Sequence, residues 1–165
     1  MERIVVVGCG GSGKTVLARR LAAVLGLPLI HLDAVYYDSA WQPLPQDAFA
    51  AVQAELVRGE RWIIDGNYVS TLPIRVAAAD TLIFLDLPAA TCLWGIARRR
   101  WRHRGGQHRD AGVFDRVNWS FVRYVVRYRA TVRPRVLAAA RGREVVHLTS
   151  RRAVDRFLLQ VRRVT

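Results

Sequence analysis

Apolar residues in this chain fall into short blocks separated by polar turns, and the blocks alternate between two periods. Arg3-Ile-Val-Val-Val7 is an unbroken β-branched run, the pattern of a strand covered on both faces of a parallel sheet. After a glycine-rich turn, Leu17, Leu21, Val24 and Leu25 recur at helical spacing and predict a helix over 16–25 that Gly26 ends. Leu29-Ile-His-Leu32 predicts a second strand closing at Asp33, and Trp62-Ile-Ile64 a third closing on Asp65-Gly66. A fourth is expected over 81–85, ending at Asp86, and a fifth over 144–148. Helices are expected over 47–58, 72–79, 89–103 and 115–140, the last kinked near Pro134. A final helix through Val161 is capped by Ser150, whose hydroxyl can accept from a first-turn amide.

Residues 34–45 and 105–112 read as irregular. Tyr36, Tyr37 and Trp41 in the first stretch are assigned to the core rather than to a base platform, and Trp101 and Trp119 to core or hinge packing. Alternating strands and helices predict an α/β fold: a five-stranded parallel sheet flanked by helices, joined by right-handed crossovers. No repeat or internal boundary interrupts it, so one domain over 1–165 is expected.

Composition narrows the class. Hydrophobic residues make up 52% of the chain, too many for a disordered protein. Cys9 and Cys92 lack zinc-ligand spacing and form no disulfide framework; they read as reduced thiols. With neither a signal peptide nor a membrane-length apolar run, a cytoplasmic protein away from the membrane is expected.

Charge changes the picture further. The net charge is +13, but residues 1–97 carry seven basic and nine acidic side chains, whereas 98–165 carry nineteen arginines and four acids. Anions should therefore collect on the C-terminal part, whether nucleotide phosphates or a nucleic-acid backbone. Lys14 is the sole lysine among 26 basic residues. A lone lysine in so arginine-biased a chain marks a place that needs a compact point charge rather than a planar fork.

Lys14 belongs to the strongest motif, Gly8-Cys9-Gly10-Gly11-Ser12-Gly13-Lys14-Thr15. It has the glycines, lysine and threonine of a P-loop, lying between an expected strand and an expected helix. Backbone amides in such a loop point inward at phosphate oxygens, and the helix start adds positive potential. Lys14 is assigned to the β- and γ-phosphates of ATP and Thr15 to Mg2+.

Asp33, Asp65 and Asp86 all follow apolar strands, where ligands of an open parallel sheet sit. Asp65 is assigned to the metal side. Asp33 lies at the mouth of an acceptor region over 34–60; it either positions or deprotonates an acceptor hydroxyl, or holds magnesium. Asp86 reads as a turn residue. Asn67 and Arg75 are candidates for holding the acceptor.

Arg98 and Arg102 share a face of one expected helix, and Arg116, Arg123 and Arg127 form a stripe on the next. Between them lies a glycine-containing loop with His108, Arg109 and Asp110. The region 98–127 is expected to act as a small lid whose arginines neutralise transferring phosphates. Arg98 and Arg102 are assigned to catalysis, Arg98 also to the nucleotide, and Arg123 and Arg127 to the substrate.

Gly8–Thr15, Leu27-Pro-Leu-Ile-His-Leu-Asp33, Trp62-Ile-Ile-Asp-Gly-Asn-Tyr68 and Ala79-Asp-Thr-Leu-Ile-Phe-Leu-Asp-Leu-Pro88 together resemble bacterial DNA topology modulation proteins, which are similar to adenylate kinase. The resemblance spans nearly the whole chain, and the segment Trp62–Tyr68 is its most specific part. It implies a nucleotide-kinase-like P-loop NTPase fold, with Arg98 and Arg102 as lid arginines and Asp65-Gly66 as the Asp-Gly after the third strand. Asn67-Tyr68 replace the Phe-Pro-Arg that continues this motif in adenylate kinases, so AMP is not implied as acceptor.

Three functions follow as expectations. The first is a kinase that moves the γ-phosphate of ATP to a nucleotide, nucleoside or other small hydroxyl compound. The second is a regulatory ATPase that binds nucleic acid through basic residues 98–163. The third is a nucleotide sensor.

Overall fold

The computed structural model of the protein describes residues 1–37, 42–102 and 117–164. Five strands form one parallel sheet: β1 (Arg3–Gly8), β2 (Leu29–His31), β3 (Trp62–Asp65), β4 (Thr81–Leu85) and β5 (Val145–Leu148), in the order β2-β3-β1-β4-β5. The helices are α1 (Lys14–Leu25), α2 (Leu32–Tyr36), α3 (Gln46–Leu56), α4 (Leu72–Ala78), α5 (Ala89–Arg102), α6 (Trp119–Thr131), α7 (Arg133–Ala139) and α8 (Arg151–Val164).

Strict alternation within the strands explains the layers. Ile4 and Val6, Ile63, and Ile83 and Leu85 face one side, where they pack with Leu17 and Leu21 of α1 and Phe157 and Leu158 of α8. Val5 and Val7, Trp62 and Ile64, and Leu82 and Phe84 face the other, against Phe49, Val76, Cys92, Val125, Tyr128 and Val136 from α3 to α7. A strand buried on both faces must be apolar at every position, and β1, β3 and β4 are the three central strands. Edge strands β2 and β5 are only partly covered, so they tolerate His31 and His147.

The order places β1 between β3 and β4, with the chain crossing from one side of β1 to the other. Loops after these strands diverge there and leave a crevice, the usual ligand site of such sheets.

Three expectations are corrected. Leu32 and Asp33 do not close β2 but open the short helix α2, which runs on into the stretch from 34 that was expected to be irregular. The long helix over 115–140 is two helices, broken at Val132 with Pro134 in the first turn of α7, where its missing N–H costs nothing. Trp101 and Trp119 are not packed: they are 85% and 86% exposed. Trp41, His108, Arg109, Asp110 and Arg116 lie outside the described residues, as does most of the expected lid loop. Among the described residues no helix is long and apolar enough to cross a membrane.

Candidate active site

The turn after β1 is held in a cradle. Gly11 and Gly13 sit at φ 76° and 93°, left-handed values that a side chain resists. A Cβ on Gly11 would collide with the carbonyl oxygen of Cys92, and one on Gly95 with the carbonyl of Gly11. Loop and α5 thus touch backbone to backbone. On another side, a Cβ on Gly10 would lie 2.6 Å from the Phe121 ring of α6. Arg151, the first residue of α8, donates to the Gly11 carbonyl at 3.3 Å. Glycine is required here by its neighbours as well as by the turn.

Gly13 precedes α1 and has no side chain to cap its first-turn amides, so they remain for an anion. Lys14 folds back onto the Cys9 carbonyl at 3.2 Å. Cys9 and Cys92 are buried, free thiols. The hydrogen bond with Cys92, reinforced by burial, pushes the Cys9 thiol far above its ordinary value.

Thr15 donates its hydroxyl to Oδ2 of Asp65 at 2.8 Å, and Nδ1 of His31 lies 3.2 Å from the same oxygen. Among the described residues the other oxygen, Oδ1, is buried without a hydrogen-bond partner, and so is the Ser12 hydroxyl. Buried acceptors are seldom left open unless a ligand or water completes them. Magnesium takes few carboxylates and keeps its waters, so one hydroxyl and one open carboxylate oxygen beside a phosphate cradle fit it. No larger cluster of His, Cys, Asp and Glu that could hold a metal is present among the described residues.

Asp33 is exposed on α2 and accepts from the Tyr68 hydroxyl at 2.7 Å. Tyr68 sits in a ring cluster, 4.8 Å from Tyr36 and 4.8 Å from Phe49. Burial, then the neighbouring Asp33, push its phenol far up, so it stays a donor. Asn67 donates to the Tyr124 hydroxyl at 2.6 Å and accepts from Tyr128 at 3.1 Å, both on α6. Its amide ties the β3 loop to α6 at the edge of the cleft.

Arg75 does not reach the cleft. It is 0% exposed, and its guanidinium donates to the carbonyls of Gly66 (2.8 Å), Asn67 (3.2 Å) and Tyr68 (3.0 Å). Burial lowers its pKa to about 10, which still leaves it charged at neutral pH. It positions the loop and cannot hold an acceptor. Arg123 and Arg127 are exposed on α6 and line, with Tyr124, Trp119 and Val126, a concavity of about 850 Å³. Arg98 and Arg102 are also exposed, three and seven residues beyond Gly95, on the side of α5 that meets the P-loop.

Asp86 is the third strand-end carboxylate. Arg129 (3.0 Å) engages its Oδ1, and Arg133 (2.7 Å) and His147 (3.0 Å) engage its Oδ2. Burial opposes its ionisation, but these hydrogen bonds outweigh burial and hold the carboxyl below its ordinary value.

Sequence reasoning missed His31, Tyr124, Tyr128, Phe121 and Arg151. Their partners come from strands and helices far away in the chain, and only the sheet order brings them together. Tyr68 was legible as part of a specific segment, but its bond to Asp33 was not.

No protein-family model matches the chain. A shikimate kinase of Mycobacterium ulcerans (strain Agy99) is 29% identical over 104 residues, covering 53% of this chain and 55% of that one. The chain thus spans about half the length of the curated relative it matches. Among solved structures, the shikimate kinase of Bacteroides thetaiotaomicron is 15% identical, with a TM-score of 0.63 over 99% of this chain and 97% of that one. A gluconokinase from Sinorhizobium meliloti 1021 is 19% identical, with a TM-score of 0.55 over 99% and 93%. At such identities the likeness is one of fold: the chain has the α/β fold of the small P-loop kinases.

Proposed function

We propose that this protein is a phosphotransferase that moves the γ-phosphoryl group of ATP to a hydroxyl of a small acceptor. The observation that carries this reading is the pairing of Thr15 with Asp65, whose second oxygen is left open, together with an exposed carboxylate at Asp33 held by Tyr68. One carboxylate faces the phosphates and the other the acceptor. Shikimate kinase and gluconokinase among the similar proteins support the same class of reaction.

In this reading the loop amides and Lys14 hold the phosphates, and Thr15 and Asp65 hold magnesium. Bound magnesium neutralises charge on the β- and γ-phosphates. Asp33 takes the proton of the acceptor hydroxyl as the new O–P bond forms; the bond to the β-phosphate oxygen breaks and ADP leaves. Arg98 and Arg102 approach the transferring group from α5, within a lid over 98–127. We assign the enzyme to the cytoplasm as one domain. Its specific segment Trp62–Tyr68 supports a place among the DNA topology modulation proteins.

The test is magnesium-dependent ADP formation with small hydroxyl compounds, using Lys14→Ala as the blank. Acceptor-stimulated ADP release that is lost in Lys14→Ala is expected. Turnover indifferent to every acceptor would defeat the reading.

One observation favours a second reading, a regulatory ATPase that binds nucleic acid. Trp94, Trp101 and Trp119 are 70%, 85% and 86% exposed and stand among Arg98, Arg102 and Arg123. Exposed indoles between arginines suit single-stranded nucleic acid. Salt-sensitive binding of an oligonucleotide that weakens on Trp101→Ala is its expected signature; binding indifferent to salt would refute it.

A further inference from the structure

We propose that His31 is a positioning residue for magnesium: it holds the Asp65 carboxylate so that Oδ1 is presented to the metal. This rests on the metal assignment within the phosphotransfer reading, and deepens it by naming the residue that sets the geometry of Asp65.

The sheet brings the two side chains together. His31 on β2 and Asp65 on β3 are partners in parallel register. Side chains alternate between the faces of a strand, so partners in register share a face. Leu29 and Ile63, two residues earlier on the same strands, both pack with α1. His31 and Asp65 therefore emerge on the α1 side, and Thr15 in the first turn of α1 meets Asp65 there. The contact joins an edge strand, a central strand and the helix of the phosphate loop, so it forms only in the assembled sheet.

An ionised carboxylate only accepts, so Nδ1 of His31 is the donor in the 3.2 Å contact with Oδ2. The Thr15 hydroxyl gives its proton to the same oxygen at 2.8 Å and keeps lone pairs for a metal. Two donors on Oδ2 orient the group and leave Oδ1 buried and, among the described residues, without a hydrogen-bond partner. Such an oxygen is costly unless a cation or water completes it.

The number of donors matters. At Asp86 two guanidinium groups and an imidazole engage both oxygens. A single imidazole nitrogen on Oδ2 of Asp65 orients the carboxylate without occupying Oδ1. Arg75 lies close enough to feel the Asp65 charge, but its bonds go to the carbonyls of Gly66, Asn67 and Tyr68. Thr15 is itself assigned to the metal, so His31 is the group that holds Asp65 independently of it. Residues that orient a metal ligand from behind commonly set metal affinity by 10- to 100-fold.

The test measures magnesium binding directly. The full chain is freed of metal, saturated with a non-hydrolysable ATP analogue and titrated with magnesium, with thermal stabilisation as the signal. His31→Ala should raise the half-saturating magnesium concentration about tenfold, while affinity for the analogue in excess EDTA stays within about twofold. His31→Asn, whose side-chain NH2 can take the place of Nδ1, should return the midpoint to within about threefold of wild type. The magnesium dependence of ADP formation should shift in parallel. A merely structural His31 would instead weaken binding in EDTA, lower the melting temperature of the ligand-free chain and leave the magnesium midpoint in place. An unmoved midpoint in His31→Ala overturns the positioning role, and so does a His31→Asn variant no better than alanine. A wild-type nucleotide complex that takes up no magnesium overturns it as well, together with the assignment of Thr15 and Asp65. The titration needs no acceptor, so failure of every acceptor to stimulate turnover would strike the phosphotransfer reading alone.

Discussion

Asp65 and Asp86 end the two strands that flank β1, one on each side of the P-loop, and they follow nearly interchangeable apolar runs. Their surroundings differ. Asp65 shares a single oxygen between Thr15 and His31 and keeps the other open. Asp86 has both oxygens taken by Arg129, Arg133 and His147. Position at the carboxyl edge of the sheet brings a carboxylate near the phosphates, but its remaining acceptor capacity decides whether it can serve chemistry. Asp86 spends that capacity on anchoring α6 and α7. It thereby supports the site indirectly, because α6 carries Phe121 to Gly10 and Tyr124 and Tyr128 to Asn67.

The largest effect that separates the two is expected in activity. Asp65→Asn keeps the shape and an acceptor for Thr15 but removes the charge. Magnesium-dependent ADP formation should fall at least ~100-fold, as when a charge-stabilising group is lost from a preorganised site. The melting temperature should barely move. A variant that stays active within a few-fold would break the contrast, because Asp65 would then be no more than a cap for Thr15.

Asp86→Asn should do the reverse, costing stability more than chemistry. Breaking a buried ion pair typically costs about 3–5 kcal/mol. Here Arg129 and Arg133 are 49% and 39% exposed and stay partly hydrated without their partner, so the figure is discounted. A loss of about 2 kcal/mol remains, and for a chain of this size it lowers the melting temperature by about 5 °C. Thermal unfolding followed by circular dichroism measures it. An unchanged melting temperature would mean that the three partners contribute nothing net.

The same contrast shows where sequence reasoning reached and where it stopped. The strands, their parallel order class and the P-loop follow from local patterns: β-branched runs, helical spacing, and glycines around Lys14. The ends of β1, α1, β3 and β4 fall within two residues of the expected ones because such boundaries carry their own signals, such as Gly26. Asp33 was placed at the end of a strand because Leu29-Ile-His-Leu32 is a mainly apolar run, yet Leu32 is buried from a helix and β2 is a short edge strand. Arg75 was read as a candidate acceptor ligand; three backbone carbonyls make its burial tolerable, and no local pattern announces them. Asp65 was assigned to the metal and Asp86 to a turn, but the partners of either were out of reach, because they come from residues up to 61 positions away.

The smallest effect, and the sharpest test of what Asp86 does, lies in the pH dependence of that stability difference. The folded-state value of Asp86 is depressed: burial opposes the charge, and the bonds from Arg129, Arg133 and His147 more than offset it. A depressed carboxylate contributes stability that is fully present above its unfolded value, about 3.9. The contribution is lost as pH falls through the lower, folded value. Wild type should therefore melt above Asp86→Asn by a constant margin at neutral pH, and the margin should close in acid below about pH 4. In that range a protonated Asp86 and an asparagine are nearly the same group, so the two melting curves should converge. A margin that persists in acid would assign the loss to packing around residue 86 rather than to its charge, and the contrast with Asp65 would then be one of shape.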